Sequence, residues 1–376
     1  NTSDSPQQVT LACSFPGPTP NEAGATEFRR RQISGDFSGV MVSGDLASYT
    51  LGVIGKEARV GGELGAASIA WAQIAAGLPK PRPEEPGASA AVQLSIGVGE
   101  TEVVRFLLTW YAPTWKGGGY NWAPSGNTFT HMYAKHYPDP VETAQQFASN
   151  YDSLLRRVIA WQEVIYAEDG LPLWLRDSLI NVLYLITEDG YWAQAKPPLP
   201  DWVKPDDGLW GMNECPRGCP QIECIPCSFY GSLPLVYFFP ELQLSTMRGY
   251  KGYQYDDGAP PWIFGGCTGN TPPIDFASPT RGYQFASNGI SLAAIVDRFL
   301  LCRDKPDKTY LKEFYPMIKR CMEWTVNLRT TPTYSVGQRI IAMPNPDSEE
   351  SAKPPTEWFE AQEPGWRGMT AHIAGL

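Results

Sequence analysis

Residues 208 to 228 read GLWGMNECPRGCPQIECIPCS, interleaving Cys215, Cys219, Cys224 and Cys227 with Glu214 and Glu223. Three chemistries are open to such a stretch: a metal knuckle, a disulfide-braced loop, or the rim of an active site in which one glutamate reacts. Four thiolates suit tetrahedral zinc. The spacing C-x3-C-x4-C-x2-C, however, supplies one C-x2-C knuckle, Cys224 with Cys227, where a zinc ribbon presents two. Disulfides across the loop are therefore preferred, with zinc second and free structural thiols third. Either link would rigidify the loop that carries Glu214.

Other reactive constellations are sparse. The three histidines, His131, His136 and His372, share no metal-ligand spacing, which argues against a metallohydrolase. No G-x-S-x-G nucleophile elbow is present. Asp256 and Asp257 follow GYKGYQY and either contact a ligand's hydroxyls or shape a turn before Gly258, the turn being preferred. A formal charge of −10 repels polyanions, so nucleic acid is not an expected partner. The 13 Trp and 18 Tyr exceed what a core needs and suit sugar or ligand contact. No run approaches the roughly 18 to 20 apolar residues of a membrane span, so a soluble chain is expected, in either the cytoplasm or a secreted setting.

Two kinds of element must position these groups. Through about residue 138 the pattern is short and alternating: residues 36–44, 49–55, 91–99 and 101–110 read as strands, the last two joined as a hairpin at a Gly-Glu turn. KPRPEEPGAS (80–89) is a proline-rich loop, and the three arginines from Arg29 to Arg31 are a solvated face. Short strands without intervening helices predict a β-sandwich over residues 1–138. From Pro140 the period becomes helical, with Leu154, Leu155, Val158, Ile159, Trp161 and Ile165 on one segment. Residues 171–187, 287–301 and 308–328 repeat the pattern. Helices apolar on more than one face suit a double-layered helical barrel. Residues 139–376 are too few for all twelve helices, and the chain stops at MTAHIAGL, so a truncated barrel is expected.

VRFLLTWYAP (104–113) and YDSLLRRVIAWQEVIYAEDGLPLWLRDSLINVLYLITEDGYW (151–192) resemble the motifs "FLLTWHFPN" and "LPxWLxDxLxNxLYxL" of glycoside hydrolase family 116, the non-lysosomal glucosylceramidase or bile-acid β-glucosidase family. FYGSLPLVYFFPELQLS (229–245) and YLKEFYPMIKRCMEW (310–324) extend the likeness, which runs with gaps over roughly residues 100 to 376. The resemblance implies a β-sandwich followed by an (α/α)6 barrel. It also implies a retaining β-glycosidase acting on β-glucosides or glucosylceramide-like glycolipids, with no cofactor required.

Retaining hydrolysis uses one ionised carboxyl to attack the anomeric carbon and a second to protonate the leaving oxygen and then activate water. By the resemblance Glu214 occupies the nucleophile's place, upstream of the shared Phe-Tyr at 229 and 230. The family's acid/base motif "QTYDxW" aligns with PTEWFEAQEPGW (355–366), where no aspartate stands. Glu360 follows Phe359 and is the expected acid/base, with Glu357 and Glu363 as alternatives; a solvated acidic loop is the competing reading. The sugar-binding aspartate of the family's "NTYD" has only Glu223 as a counterpart, and Trp262 stands where a sugar-binding histidine is expected. Trp210, Trp262 and Trp358 adjoin these motifs and are expected at the pocket, as is His131 from the loop that reaches the family's substrate site. A catalytically silent carbohydrate-binding or structural relative is the alternative.

Overall fold

The computed structural model describes residues 1–66, 68–118, 126–215, 219–266, 275–280, 285–303, 308–327, 330–332 and 339–341. These form antiparallel sheets and helices in two compact units. The first comprises residues 1–114 and 133–167, the second the described residues within 115–132 and 168–376.

In the first unit β1 (Gln7–Phe15), β2 (Arg29–Ile33), β3 (Phe37–Ser43), β4 (Ser48–Ile54), β5 (Arg59–Gly61), β6 (Ala88–Ile96) and β7 (Arg105–Tyr111) build two sheets. Their orders are β1-β6-β5 and β2-β3-β4-β7, all pairs antiparallel. Val40 and Val42 of β3, Tyr49, Leu51 and Val53 of β4, and Ala88, Ala90 and Val92 of β6 meet in one core to which both sheets contribute. The short α1 (Pro20–Ala23) carries a Thr19/Glu22 capping box, and α2 (Ser68–Ala72) and α3 (Tyr133–His136) are comparably brief. Arg30 is not merely solvated: its guanidinium donates to the carbonyls of Arg82 (3.1 Å) and Gly87 (2.8 Å), fastening the proline-rich loop to β2.

The expected hairpin of residues 91–99 and 101–110 does not form. Gly99 turns the chain at φ +74°, but β7 then pairs with β4 in the other sheet, so the connection switches sheets. A buried Thr50–Thr109 hydroxyl bond at 2.5 Å accompanies the β4–β7 pairing.

The boundary expected at residue 138 also shifts, because α4 (Pro140–Tyr166) belongs to the first unit. Asp139 starts this helix by accepting from the Val141 and Glu142 N–H groups at 2.7 and 2.9 Å, and Pro140 fills the first turn where no N–H is needed. Ala144 and Ala148, with Val141, pack on Ile33, Phe37, Met41, Ile54 and Leu107, the second face of the four-stranded sheet. With helix on one side and sheet on the other, β3 and β4 bury both faces. Further along α4, Leu155, Val158 and Ile159 are exposed, so their helical spacing does not translate into burial.

In the second unit β8 (Thr114–Lys116), at its edge, pairs with β9 (Thr128–Thr130). A four-stranded antiparallel sheet follows the order β10 (Gly190–Ala193), β11 (Leu209–Cys215), β12 (Cys219–Ile222), β13 (Gly265–Gly266). Helical periodicity did not anticipate this sheet. The expected helix over 171–187 is broken at Val182–Leu183 into α5 (Leu173–Asn181) and α6 (Tyr184–Glu188). Next come α7 (Ile225–Gly231), α8 (Leu233–Phe238) and α9 (Pro240–Gly252), each with proline in its first turn; a proline lacks the N–H that would continue the preceding helix. The expected helices near 287–301 and 308–328 are present as α10 (Phe285–Leu301) and α11 (Lys308–Asn327). Ile222, Ile225, Tyr250, Phe264, Phe299 and Phe314 share one core. Arg248 ties α9 to α11 by donating to both Glu313 carboxylate oxygens at 2.9 and 3.2 Å, and to Asp207 at 2.8 Å. Among the described residues no helix is long and apolar enough to cross a membrane.

Candidate functional site

Among the described residues of 208–228, two paired antiparallel strands run into a helix. β11 and β12 pair Asn213 with Ile222 and Cys215 with Cys219, and the register slips between these pairs: β12 carries the extra residue, so Pro220 and Gln221 together oppose Glu214. Bulges re-aim side chains next to functional sites. Glu214 is exposed. Cys224 is the N-terminal cap residue of α7, and Cys227 lies in that helix's first turn.

Glu223 joins the paired strands to the helix. Its backbone N–H donates to the Met212 carbonyl at 2.7 Å, and its carboxylate Oε1 accepts from the Met212 N–H at 2.8 Å. Oε2 accepts from the Ser228 hydroxyl of α7 at 2.6 Å and from the Tyr250 hydroxyl of α9 at 3.3 Å. Tyr250 also donates to the Glu223 carbonyl at 3.1 Å. The residue sits at φ +53°, a left-handed conformation that costs a non-glycine residue about 1–3 kcal/mol and persists where surrounding bonds over-determine it. Burial raises the carboxyl pKa, while the bonds from Ser228, Met212 and Tyr250 act in the opposite direction.

Around this junction lies a cavity of about 170 Å³. Met212, Asn213 and Glu214 line it from β11; Glu223, Cys224, Cys227 and Ser228 from the turn and α7. Ser232 and Leu235 contribute from the α7–α8 region, Gln243 from α9, and Leu185 and Asp189 from α6 and its end. Gln243 is wholly buried, and among the described residues neither its oxygen nor its nitrogen has a hydrogen-bond partner; the buried Ser232 hydroxyl has none among them either. Leaving such groups unpaired costs about 1–3 kcal/mol each, so a lining that retains them is suited to a polar ligand. Asn213 and Asp189 are buried in the same lining, and the Asn213 N–H donates to the Asp189 carbonyl at 2.8 Å.

The sulfurs depart from the preferred expectation. Cys224 and Cys227 are free thiols with Sγ atoms 3.4 Å apart, far beyond the roughly 2.05 Å of a disulfide. Contact with Cys227, then burial, pushes the Cys224 thiol above its ordinary pKa. A Glu214 carboxylate oxygen and both Sγ atoms lie within 4.8 Å of one another. Cys215 and Cys219 pair through their backbones, and their side chains lie outside the described set.

The remaining expected site residues divide. Glu214 and Glu223 come together on the cavity. Trp210 does not join them: it packs with Leu235 and Leu242 and is 5% exposed. Trp262 is a core residue, 3% exposed. His131 bridges to Ala193 and lies 4.3 Å from the Trp115 ring in a cluster with Phe129, Tyr191 and Phe276. Burial there lowers its pKa to about 4, so the imidazole is neutral at physiological pH. Asp257 makes the turn, its carboxylate accepting from the Ala259 N–H at 3.1 Å. Glu357, Trp358, Glu360 and Glu363 lie outside the described residues. Asp189, Asn213, Ser228, Ser232 and Gln243 were missed as lining residues; the clearest signal was Gln243, a polar residue within the otherwise apolar LQL of α9. No protein-family model matches the chain.

Proposed function

We propose that the chain is a retaining glycoside hydrolase acting on β-glucosides or related β-glycosides, glucosylceramide-like glycolipids included. In this reading the first unit is the β-sandwich, and the helices of the second belong to an (α/α)6 barrel. The observation that carries the proposal is the position of Glu214: an exposed carboxylate on the lining of a cavity whose buried amide, hydroxyl and carboxyl groups can answer sugar hydroxyls. The resemblance of residues 151–192 and 229–245 to the family's helical motifs supports the same assignment.

Glu214 attacks the anomeric carbon as the glycosidic C–O bond breaks, giving a covalent glycosyl-enzyme. Glu360, or in its place Glu357 or Glu363, delivers its proton to the leaving oxygen. The same group then takes a proton from water, whose oxygen displaces Glu214 and restores the carboxylate, with net retention. Glu223 is a positioning residue, holding Met212 and Ser228 so that the paired strands and α7 present Glu214 at a fixed place. An activated 2-deoxy-2-fluoro β-glucoside should add one glycosyl mass to Glu214, and E214Q should abolish the adduct. Hydrolysis that proceeds without an adduct, or unchanged in E214Q, would overturn the assignment.

A catalytically silent sugar-binding relative is favoured by one observation: Trp262, standing where the resemblance expects a sugar-binding histidine, is buried in the core. Calorimetric binding of a β-glucoside without turnover would select that reading.

A further inference from the structure

We propose that Glu214, Cys224 and Cys227 form a binding site for one thiophilic divalent cation of the zinc class, and that its occupancy withdraws Glu214 from attack on a glycoside. The second clause rests on the glycosidase reading; the first does not. Two sulfurs and one carboxylate oxygen within 4.8 Å of one another are a soft, mixed ligand set that selects zinc or cadmium over magnesium or calcium. With zinc–sulfur bonds of about 2.3 Å and tetrahedral angles, two thiolates stand about 3.8 Å apart. The observed 3.4 Å differs by a few tenths of an ångström, a small rotation of either side chain, whereas a disulfide requires more than an ångström of closure.

The three ligands come from two elements that are already locked together. Glu214 lies two residues beyond Met212, Cys227 one residue before Ser228, and the Glu223 carboxylate holds both Met212 and Ser228. Such supporting bonds orient metal ligands before the ion arrives. Glu214 is exposed and gives the ion an entry path, while Cys224, 4% exposed, supplies the shielded side. Three protein ligands leave a tetrahedral ion its fourth position for solvent on the cavity side.

The test uses the full chain stripped of metal with a chelator and titrated with Co²⁺. One equivalent should produce a thiolate-to-cobalt charge-transfer band with tetrahedral d–d absorption. C224S and C227S should each lose the band, and E214Q should weaken binding by at least about 10-fold. One equivalent of Zn²⁺ should also protect Cys224 and Cys227 of the unaltered chain from alkylation, read by peptide mass spectrometry, which needs no variant to fold. Absence of both the band and the protection would overturn the site. So would a band lost in C215S or C219S but kept at full affinity in E214Q, which assigns the ion to a four-cysteine set. Stoichiometric Zn²⁺ suppressing β-glycoside hydrolysis would support the coupling. A chain that binds cobalt one to one yet hydrolyses nothing when metal-free would leave the site standing and overturn the hydrolase reading.

Discussion

Acidification should expose the structural role of His131. Its imidazole is packed against Trp115, and loss of solvation lowers its pKa from 6.5 to about 4. The folded state therefore holds the neutral form, and its contribution is complete above the unfolded value of 6.5. As pH falls below 6.5 the unfolded chain takes up the proton first, and stability drains away until the folded imidazole titrates near 4. Each pH step across that gap is worth about 1.36 kcal/mol, so the full loss is about 3 kcal/mol, a large share of a typical folding free energy. His131→Phe keeps an aromatic ring against Trp115 and leaves the backbone bonds to Ala193 and from Gln194 in place, but cannot titrate. Urea unfolding at pH 7.5, 6, 5 and 4.5 should give wild-type and variant curves that run parallel above pH 6.5 and then diverge, wild type losing more. With only three histidines in the chain, the imidazole signals can also be titrated individually by NMR. A His131 signal titrating near 6.5, or unfolding curves parallel throughout, would refute the argument.

Two further outcomes follow from burial elsewhere. Burial raises the Glu223 pKa, so its contribution to stability is complete below the unfolded value and is lost as pH rises through the folded one. E223Q keeps an acceptor for the Met212 N–H and carries no charge, so relative to wild type it should gain stability with rising pH, by at most about 1.4 kcal/mol per pH unit; equal pH slopes in urea titrations would sink this. At Gly289 an added Cβ would stand 2.1 Å from the Thr325 hydroxyl oxygen and 3.5 Å from the Cys321 sulfur. Overpacking of about 1–3 kcal/mol should outweigh the helix-propensity gain of up to about 1 kcal/mol, so Gly289→Ala should lower the Tm. A raised Tm would show that α11 yields without strain.

What was readable in the chain is what local spacing controls. β3 and β4 follow their strand patterns closely, and Asp139-Pro140 marks the start of α4 because cap and first-turn chemistry involve neighbouring residues only. The partner of β7 was not readable: a Gly-Glu turn fits a hairpin equally well, and the choice was made by β4, over fifty residues away in sequence. The sheet β10–β13 was hidden by short strands such as GYWA and by the polar, glycine-containing LWGMNEC. Trp210 and Trp262 illustrate the same limit from the opposite side. An indole beside a site motif is as suited to a core as to a sugar face, and only packing separates the two.

The site depends most on the residue whose function was least visible. Glu223 entered as a substitute for a missing sugar-binding aspartate, and nothing adjacent to it in sequence announces a positive φ or bonds to Ser228 and Tyr250. Yet those bonds couple α7 and α9 to the paired strands, and through Met212 they set where Glu214 stands. The sulfurs and the carboxylate consequently share one scaffold: under the proposed hydrolase reading, whatever fixes Glu214 for attack on a sugar also fixes it beside Cys224 and Cys227. A variant that disturbs Glu223 should therefore impair adduct formation at Glu214 and metal binding at the thiols together. Cys227→Ser, which keeps a small polar side chain on the cavity lining, should instead lose the metal and still form the adduct. Joint loss in E223A with separate loss in C227S is the pattern this scaffold requires.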